Sequence, residues 1–260
     1  MAVKIIDSHC HMGQFPEQTH IDRSLTSLLD FMDRHDIERC ISANNCMFVH
    51  DQLERAVAED AVAYEESSHR IYTYFGYHPK YIQRSLDIIR AHRDDPQCVG
   101  IKINPKQHEV MGDDESFRPC WEIARELDIP IMAHTWSTST YNLRQKYSFT
   151  GVFEKWLREY PDVKFVFAHS GGRYLGIKTA IELGKKYPNA YYDMAGDIWP
   201  LGYLEAMVEG VGEDRIFYAS DYSTVSQLPM LGVIYGSSLT AVQKEKILGR
   251  NAARVFFREE

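Results

Sequence analysis

Short runs rich in β-branched and aromatic residues recur along the chain, each bounded by turn residues and followed by a stretch of helical periodicity. Eight of them read as strands: Val3–Ile6, Ile37–Ala43, Ile71–Gly76, Val99–Ile103, Ile129–Ala133, Val163–Ala168, Ala190–Met194 and Arg215–Ala219. Strands of this kind, separated by helices, predict a parallel sheet covered on its faces. Between them, Leu25, Leu28, Leu29 and Met32 fall at i, i+3, i+4 and i+7, and Phe149, Val152, Phe153, Trp156, Leu157 and Tyr160 continue that spacing for longer. Glu159-Tyr-Pro-Asp and Lys186-Tyr-Pro-Asn mark two helix exits, because proline cannot continue a helix. Thr240 with Gln243 predicts a capping box, and Gly249 suits the end of the helix it opens.

No Ser/Gly tract, charge block or shift of composition divides residues 1–260, so a single domain is expected. Eight β/α units in a chain of 260 residues average about 32 residues each, the proportions of a (β/α)8 TIM barrel. A doubly wound open sheet is the alternative. Against it, no strand is followed by GxGxxG or GxxxxGK[ST].

In a β/α barrel, chemistry gathers at the C-terminal ends of the strands. The first strand runs into Asp7-Ser-His9-Cys-His11, and strand alternation puts His9 and His11 on one face. The fifth ends in Ala133-His134, the sixth in Ala168-His169-Ser-Gly-Gly, and the eighth in Ala219-Ser-Asp221. A single strand-end histidine is usually a packing or hydrogen-bonding residue, and an HxH alone is a weak signal. Four strands delivering imidazole or carboxylate to one rim point instead to a metal site. Imidazoles with a carboxylate suit zinc, and iron, cobalt or manganese with less preference.

Taken together, these motifs resemble the amidohydrolase superfamily, and within it the amidohydrolase-related (amidohydrolase-2 type) branch that includes aminocarboxymuconate semialdehyde decarboxylase-like enzymes. Ile6-Asp-Ser-His-Cys-His resembles the opening motif, Phe167-Ala-His-Ser-Gly-Gly the AHxGG motif, Tyr218-Ala-Ser-Asp-Tyr the GSDxP motif, and Ile247-Leu-Gly-Arg-Asn-Ala-Ala-Arg-Val-Phe the closing motif. The resemblance implies His9, His11, His134 and Asp221 as metal ligands. It places His169 close to the metal, as a general acid/base or polariser of bound water. The chemistry is coherent: a divalent ion lowers the pKa of bound water toward about 7, and Asp221 and His169 can move protons. One departure is Asp221-Tyr-Ser, where the family often has Asp-x-Pro.

Lys102, in Gly100-Ile-Lys-Ile-Asn, stands at the position of the carboxylated lysine that bridges two metals in binuclear members. In that case His134 and His169 would hold the second ion. The amidohydrolase-2 type resembles the mononuclear pattern more closely, leaving Lys102 as a charge partner or substrate contact. TatD-like nucleases share a D-x-H-x-H opening and a GxHP like Gly76-Tyr-His78-Pro79, but have Glu on strand four and lack AHxGG.

Other rim residues are candidates for substrate contact. Trp136, Trp199 and Tyr222 could stack on a planar molecule or simply pack their loops. Arg173, following Ser170-Gly-Gly, could bind a carboxylate or form a plain salt bridge. Asn104 shares the Lys102 face and could hydrogen-bond substrate. Asp7 could orient a histidine or pair with Lys102. His20, His35, His50, His69, His92 and His108 have polar neighbours and read as solvated.

Composition narrows the remaining classes. A formal charge of −8 argues against nucleic acid as a partner, and no apolar run approaches the roughly 18 residues of a membrane helix. The first residues enter a strand-like run with no signal or transit pattern. Five unpaired cysteines read as reduced thiols, hence a cytoplasmic protein. A homodimer is an ordinary assembly for such a protein, though no residue specifies one.

The expected activity is hydrolysis of a C–N or C–O bond in a small carbonyl substrate by a metal-bound hydroxide. A nonoxidative decarboxylase on the same scaffold is the alternative. A noncatalytic barrel with a closed, structural metal site is the third reading.

Overall fold

The computed structural model describes residues 4–13, 24–49, 52–197, 200–226 and 228–259. Eight parallel strands pair in sequence order: β1 (Ile5–Cys10), β2 (Ile37–Ser42), β3 (Ile71–Gly76), β4 (Cys98–Ile103), β5 (Ile131–His134), β6 (Phe165–Ala168), β7 (Ala190–Asp193) and β8 (Ile216–Phe217). The chain after β8 returns to β1: Ser8 N–H donates to the Tyr218 carbonyl at 3.1 Å, Asp221 N–H to the His9 carbonyl at 2.8 Å, and Cys10 bridges Tyr222. A sheet whose last strand meets its first, with helices in the crossovers, is the expected TIM barrel.

Alternation along the strands separates two apolar layers. Ile6, Ile41, Tyr74, Val99, Met132, Val166 and Phe217 fill the barrel interior, which Phe256 and Ala252 close from below. Ile5, Cys40, Phe75, Ile101, Ile131, Phe165 and Tyr192 face the helices. Lys102 and His134 stand two residues beyond Gly100 and Met132, so the interior parity carries them to the mouth. In β1 the register against β2 is irregular between Asp7 and Cys10. That break lets Ile6 face inward low in the barrel while His9 and His11 face inward at its mouth.

The periodic helices form with adjustments. Leu25–Arg34 buries Leu28 and Met32 and is capped by Ser24, whose Oγ accepts from Ser27 N–H. The pattern from Phe149 to Tyr160 is split into a 3-10 segment, Thr150–Phe153, and a helix, Glu154–Glu159; Phe153, Trp156 and Leu157 are buried all the same. The capping box at Thr240 and Gln243 is present. Gly249 does not end that helix. The chain continues through a π turn, Lys246–Arg250, into Asn251–Phe256. Glycine is needed there for close approach: a Cβ would lie 1.9 Å from the Lys4 carbonyl oxygen.

All five cysteines are free thiols, four of them buried. Among the described residues no helix is long and apolar enough to cross a membrane.

Two expected outcomes follow from this packing. Gly249→Ala must push the C-terminal segment off β1, so it should lower the unfolding free energy by about 1–3 kcal/mol, measured by chemical denaturation. Asp60, buried on the helix Leu53–Glu66, accepts from Thr73 Oγ1 at 2.6 Å and from Asn44 Nδ2 at 3.2 Å. Burial nevertheless pushes its carboxyl up to about 7. The folded state therefore holds this proton more tightly than the unfolded chain does. Stability should decline as pH rises from about 4 through about 7, by at most a few kcal/mol from this group. Denaturation curves at pH 5 and pH 8 should show that Asp60→Asn removes that part of the decline; an unchanged slope would refute the assignment.

Candidate metal centre

His9 is buried at the end of β1. Its Nδ1 lies 2.9 Å from Asp193 Oδ2, and its Nε2 lies 3.2 Å from His11 Nε2. His11 Nδ1 lies 2.7 Å from the Ala43 carbonyl oxygen. A carboxylate and a carbonyl can only accept, so each Nδ1 carries a hydrogen, and the neutral tautomer of either ring has its bare nitrogen at Nε2, facing inward. Asp221 Oδ1 completes the group, 3.2 Å from His11 Nε2 and 3.8 Å from His9 Nε2.

Two lone pairs and a carboxylate oxygen this close repel one another unless a proton or a cation sits among them. Donor atoms 3.2 to 3.8 Å apart fit one ion bonded to each at about 2.1 Å. His9, His11 and Asp221 thus form a group able to hold a metal ion. Lys102 also reaches this group and shares the His9 Nε2 lone pair that a metal ion would take. It is buried, and its Nζ lies 2.7 Å from His9 Nε2, so its ammonium brings positive charge to the same donors. Burial lowers Lys102 to about 8, against the pull of Asp193 and Asp221. Burial and then Lys102 hold His9 well below its ordinary range, so its ring is neutral. For Asp221, burial favours protonation, but the surrounding imidazoles, His11 foremost and then His169 and His9, outweigh it and hold the carboxyl below the usual range.

A second pair of imidazoles adjoins the first. His169 Nε2 lies 3.2 Å from His134 Nδ1, and the His9 and His169 ring centres are 5.2 Å apart. His169 Nδ1 donates to the Ala195 carbonyl at 3.0 Å, and His134 Nε2 meets Gln145 Oε1 at 3.1 Å. Burial, followed by the charges of His169, Lys106 and Lys102, holds His134 well below its ordinary range. The four imidazoles form a row, His11–His9–His169–His134, across the barrel mouth. His134 adjoins His169 and stands one ring away from the His9–His11–Asp221 group.

His169 and Asp221 both have left-handed backbone, with φ of 61° and 63°. Non-glycine residues pay roughly 1–2 kcal/mol for that conformation. Backbone hydrogen bonds hold both in place: His169 N–H to Asp193 Oδ1 at 2.7 Å and Asp221 N–H to the His9 carbonyl.

The remaining candidates take varied places. Trp136 lies with its ring 5.2 Å from His169 and 6.5 Å from His134, walling the mouth. Gly172, at φ 80°, makes room for it; a Cβ there would lie 2.7 Å from the indole. Tyr222 packs on Phe31. Arg173 is exposed and paired with Asp197, so the plain salt bridge is the arrangement seen. Asn104 caps the short helix Pro105–His108, its Oδ1 accepting from Gln107 N–H at 3.2 Å. Asp7 accepts from Ser220 Oγ at 2.6 Å and from the backbone N–H of Ser220 and His9. Trp199, His20 and His50 lie outside the described residues.

Two corrections concern buried groups. His108 is not solvated; it is buried with its ring 3.9 Å from that of His78. Asp193, absent from the candidates above, is central. It ends β7 as His134 ends β5, so the rule applied to four strands would have found it on a fifth.

A family profile described as Amidohydrolase (Amidohydro_2) matches residues 6–258. No match is found among curated proteins. Similar solved structures include 2,6-dihydroxybenzoate decarboxylase from Rhizobium, 15% identical, with 100% of each chain covered and a TM-score of 0.76. Another is 5-carboxyvanillate decarboxylase from Sphingomonas paucimobilis, 14% identical, covering 98% of this chain and 99% of that one at a TM-score of 0.76. A third is a dihydroxybenzoic acid decarboxylase from Polaromonas with bound manganese, 16% identical, covering 98% and 97% at a TM-score of 0.73. These likenesses show a shared fold, and the profile match over nearly the whole chain shows that this protein belongs to the amidohydrolase-2 family.

Proposed function

We propose that the protein is a divalent-metal-dependent nonoxidative decarboxylase, a carbon–carbon lyase acting on a small aromatic acid. The observation that carries metal dependence is the convergence of His9 Nε2, His11 Nε2 and Asp221 Oδ1 at the barrel mouth. Decarboxylation is favoured over the expected hydrolysis because the similar structures named above are decarboxylases, of 2,6-dihydroxybenzoate and of 5-carboxyvanillate among others. The family's own description keeps hydrolysis as the second reading. Zinc suits the donor set, and the manganese of the Polaromonas protein makes manganese its competitor.

In the proposed reaction the bond between the ring carbon and the carboxylate breaks. Its electron pair stays on the ring carbon, which takes up a proton as CO₂ leaves. When bound, the divalent ion draws charge from substrate oxygens as a Lewis acid. Lys102 adds a buried positive charge facing an anionic substrate. We assign delivery of the proton to carbon to Asp221 and His169, the latter with His134 beside it. Trp136 supplies a flat wall that keeps water from the ring.

Elemental analysis of protein purified without chelator should find about one zinc or manganese ion per chain, and His11→Ala and Asp221→Asn should each lose most of it. Two ions per chain would instead bring in a carboxylated Lys102, with His134 and His169 holding the second. Failure to take up either metal on reconstitution would overturn the reading. Metal-loaded protein incubated with 2,6-dihydroxybenzoate and related hydroxybenzoates should release CO₂ in step with substrate loss, and His169→Asn, which leaves the His9–His11–Asp221 group intact, should slow it about 10²–10⁴-fold. Turnover of esters or amides with no CO₂ from any acid would assign the hydrolase instead.

A further inference from the structure

Asp193 links three strand ends around the candidate metal centre while its carboxylate faces away from the metal group. Its side chain is fully buried at the end of β7. Oδ1 accepts the backbone N–H of His169 at 2.7 Å and of Ala195 at 2.9 Å, which uses both of its lone pairs. Oδ2 is left for His9 Nδ1 at 2.9 Å. The Asp193 carbonyl oxygen accepts from Ser170 Oγ at 2.6 Å.

We infer that Asp193 is a positioning residue: its carboxylate fixes His9 as the Nδ1–H tautomer, leaving Nε2 bare for the metal, and pins the left-handed turn that presents His169. This rests on the metal-dependent reading above. It treats Asp193 as a hydrogen-bond acceptor, although its distances also place it in a group of potential ligands with His9 and His169. The position of the His9 ring decides between the two. Asp193 contacts Nδ1, whereas the nitrogen facing His11, Lys102 and Asp221 is Nε2, across the ring. The carboxylate therefore stands behind His9 and outside the metal group.

The turn at His169 gives the second half of the role. His169 and Ser170 have φ of 61° and 46°, and both are tied to Asp193, one to its side chain and the other to its carbonyl. One residue thus couples the ends of β1, β6 and β7.

Asp193→Asn tests this at constant volume. The amide oxygen still accepts from His169 and Ala195, but Nδ2 now faces His9 Nδ1 and donates to it, which moves the ring hydrogen to Nε2. Affinity for zinc or manganese, measured by competition with a chromophoric chelator, should fall about 10–100-fold. Circular dichroism of the metal-free variant should match wild type. Nitrogen-15 spectra of metal-free protein should show His9 as Nδ1–H in wild type and Nε2–H in the variant. Unchanged metal affinity in the folded variant would overturn the inference. So would an Nε2–H tautomer in wild type, or lost affinity with the His9 tautomer unchanged, which would make Asp193 a ligand. If wild type binds no metal, the functional reading fails, while the tautomer of His9 still decides the role of Asp193. If the variant does not fold, the wild-type spectrum decides it.

Discussion

Closure of the sheet between β8 and β1 is the contact on which the rest of the structure depends. β8 itself is only two residues long. The chain beyond it is held to β1 by the hydrogen bonds from Ser8 to Tyr218 and from Asp221 to His9, and by the Asp7 carboxylate, which takes both Ser220 N–H and Ser220 Oγ. The same contacts that remove the last sheet edge bring Asp221 against His9 and His11. Barrel closure and assembly of the metal group are therefore one event. A chain that failed to close would lose Asp221 from the His9–His11 group along with its sheet.

The mouth of the barrel concentrates charge where the rest of the interior is apolar. Lys102, Asp193, Asp221 and His9 are all buried there, above Tyr74, Met132 and Val166. Isolated burial of any one of these charges would cost several kcal/mol. Their mutual contacts offset it: Asp193 and Asp221 pull Lys102 up against its burial, and Lys102 in turn keeps His9 neutral. A neutral His9 with its hydrogen held at Nδ1 is the form that can ligate a metal. The electrostatics that make the interior tolerable also prepare the ligand.

Strain is placed at the same end of the barrel. His169 and Asp221 have backbone conformations that bulky residues rarely take, and each is held by a hydrogen bond to a neighbouring strand end. In contrast, Gly172 and Gly249 stand where a side chain would collide, one with Trp136 and one with the Lys4 carbonyl. The first pair aims side chains into the mouth, and the second lets elements approach.

Local pattern was enough for the layout. The eight apolar runs are short and separated by helical periodicity, so hydrophobic burial alone defines the strands, and the histidines at their ends follow from parity. The Lys102 face and the capping box at Thr240 were legible for the same reason: each depends on residues a few positions apart. Gly249 was misread as a helix end because the atom it avoids belongs to Lys4, at the other end of the chain. His108 read as solvated because its burial comes from His78, which arrives on a different loop. Asp193 escaped notice because Ala-Tyr-Tyr-Asp-Met reads as one more core strand, and nothing local shows that His9, 184 residues away, turns its Nδ1 toward it. The sequence by itself determined where the strands run out and placed His9, His11, Lys102, His134, His169 and Asp221 at those ends, because that depends on residues close together in the chain. The tertiary structure alone decided their tautomers, charges and partners, because these are set by hydrogen bonds between strands far apart in the chain.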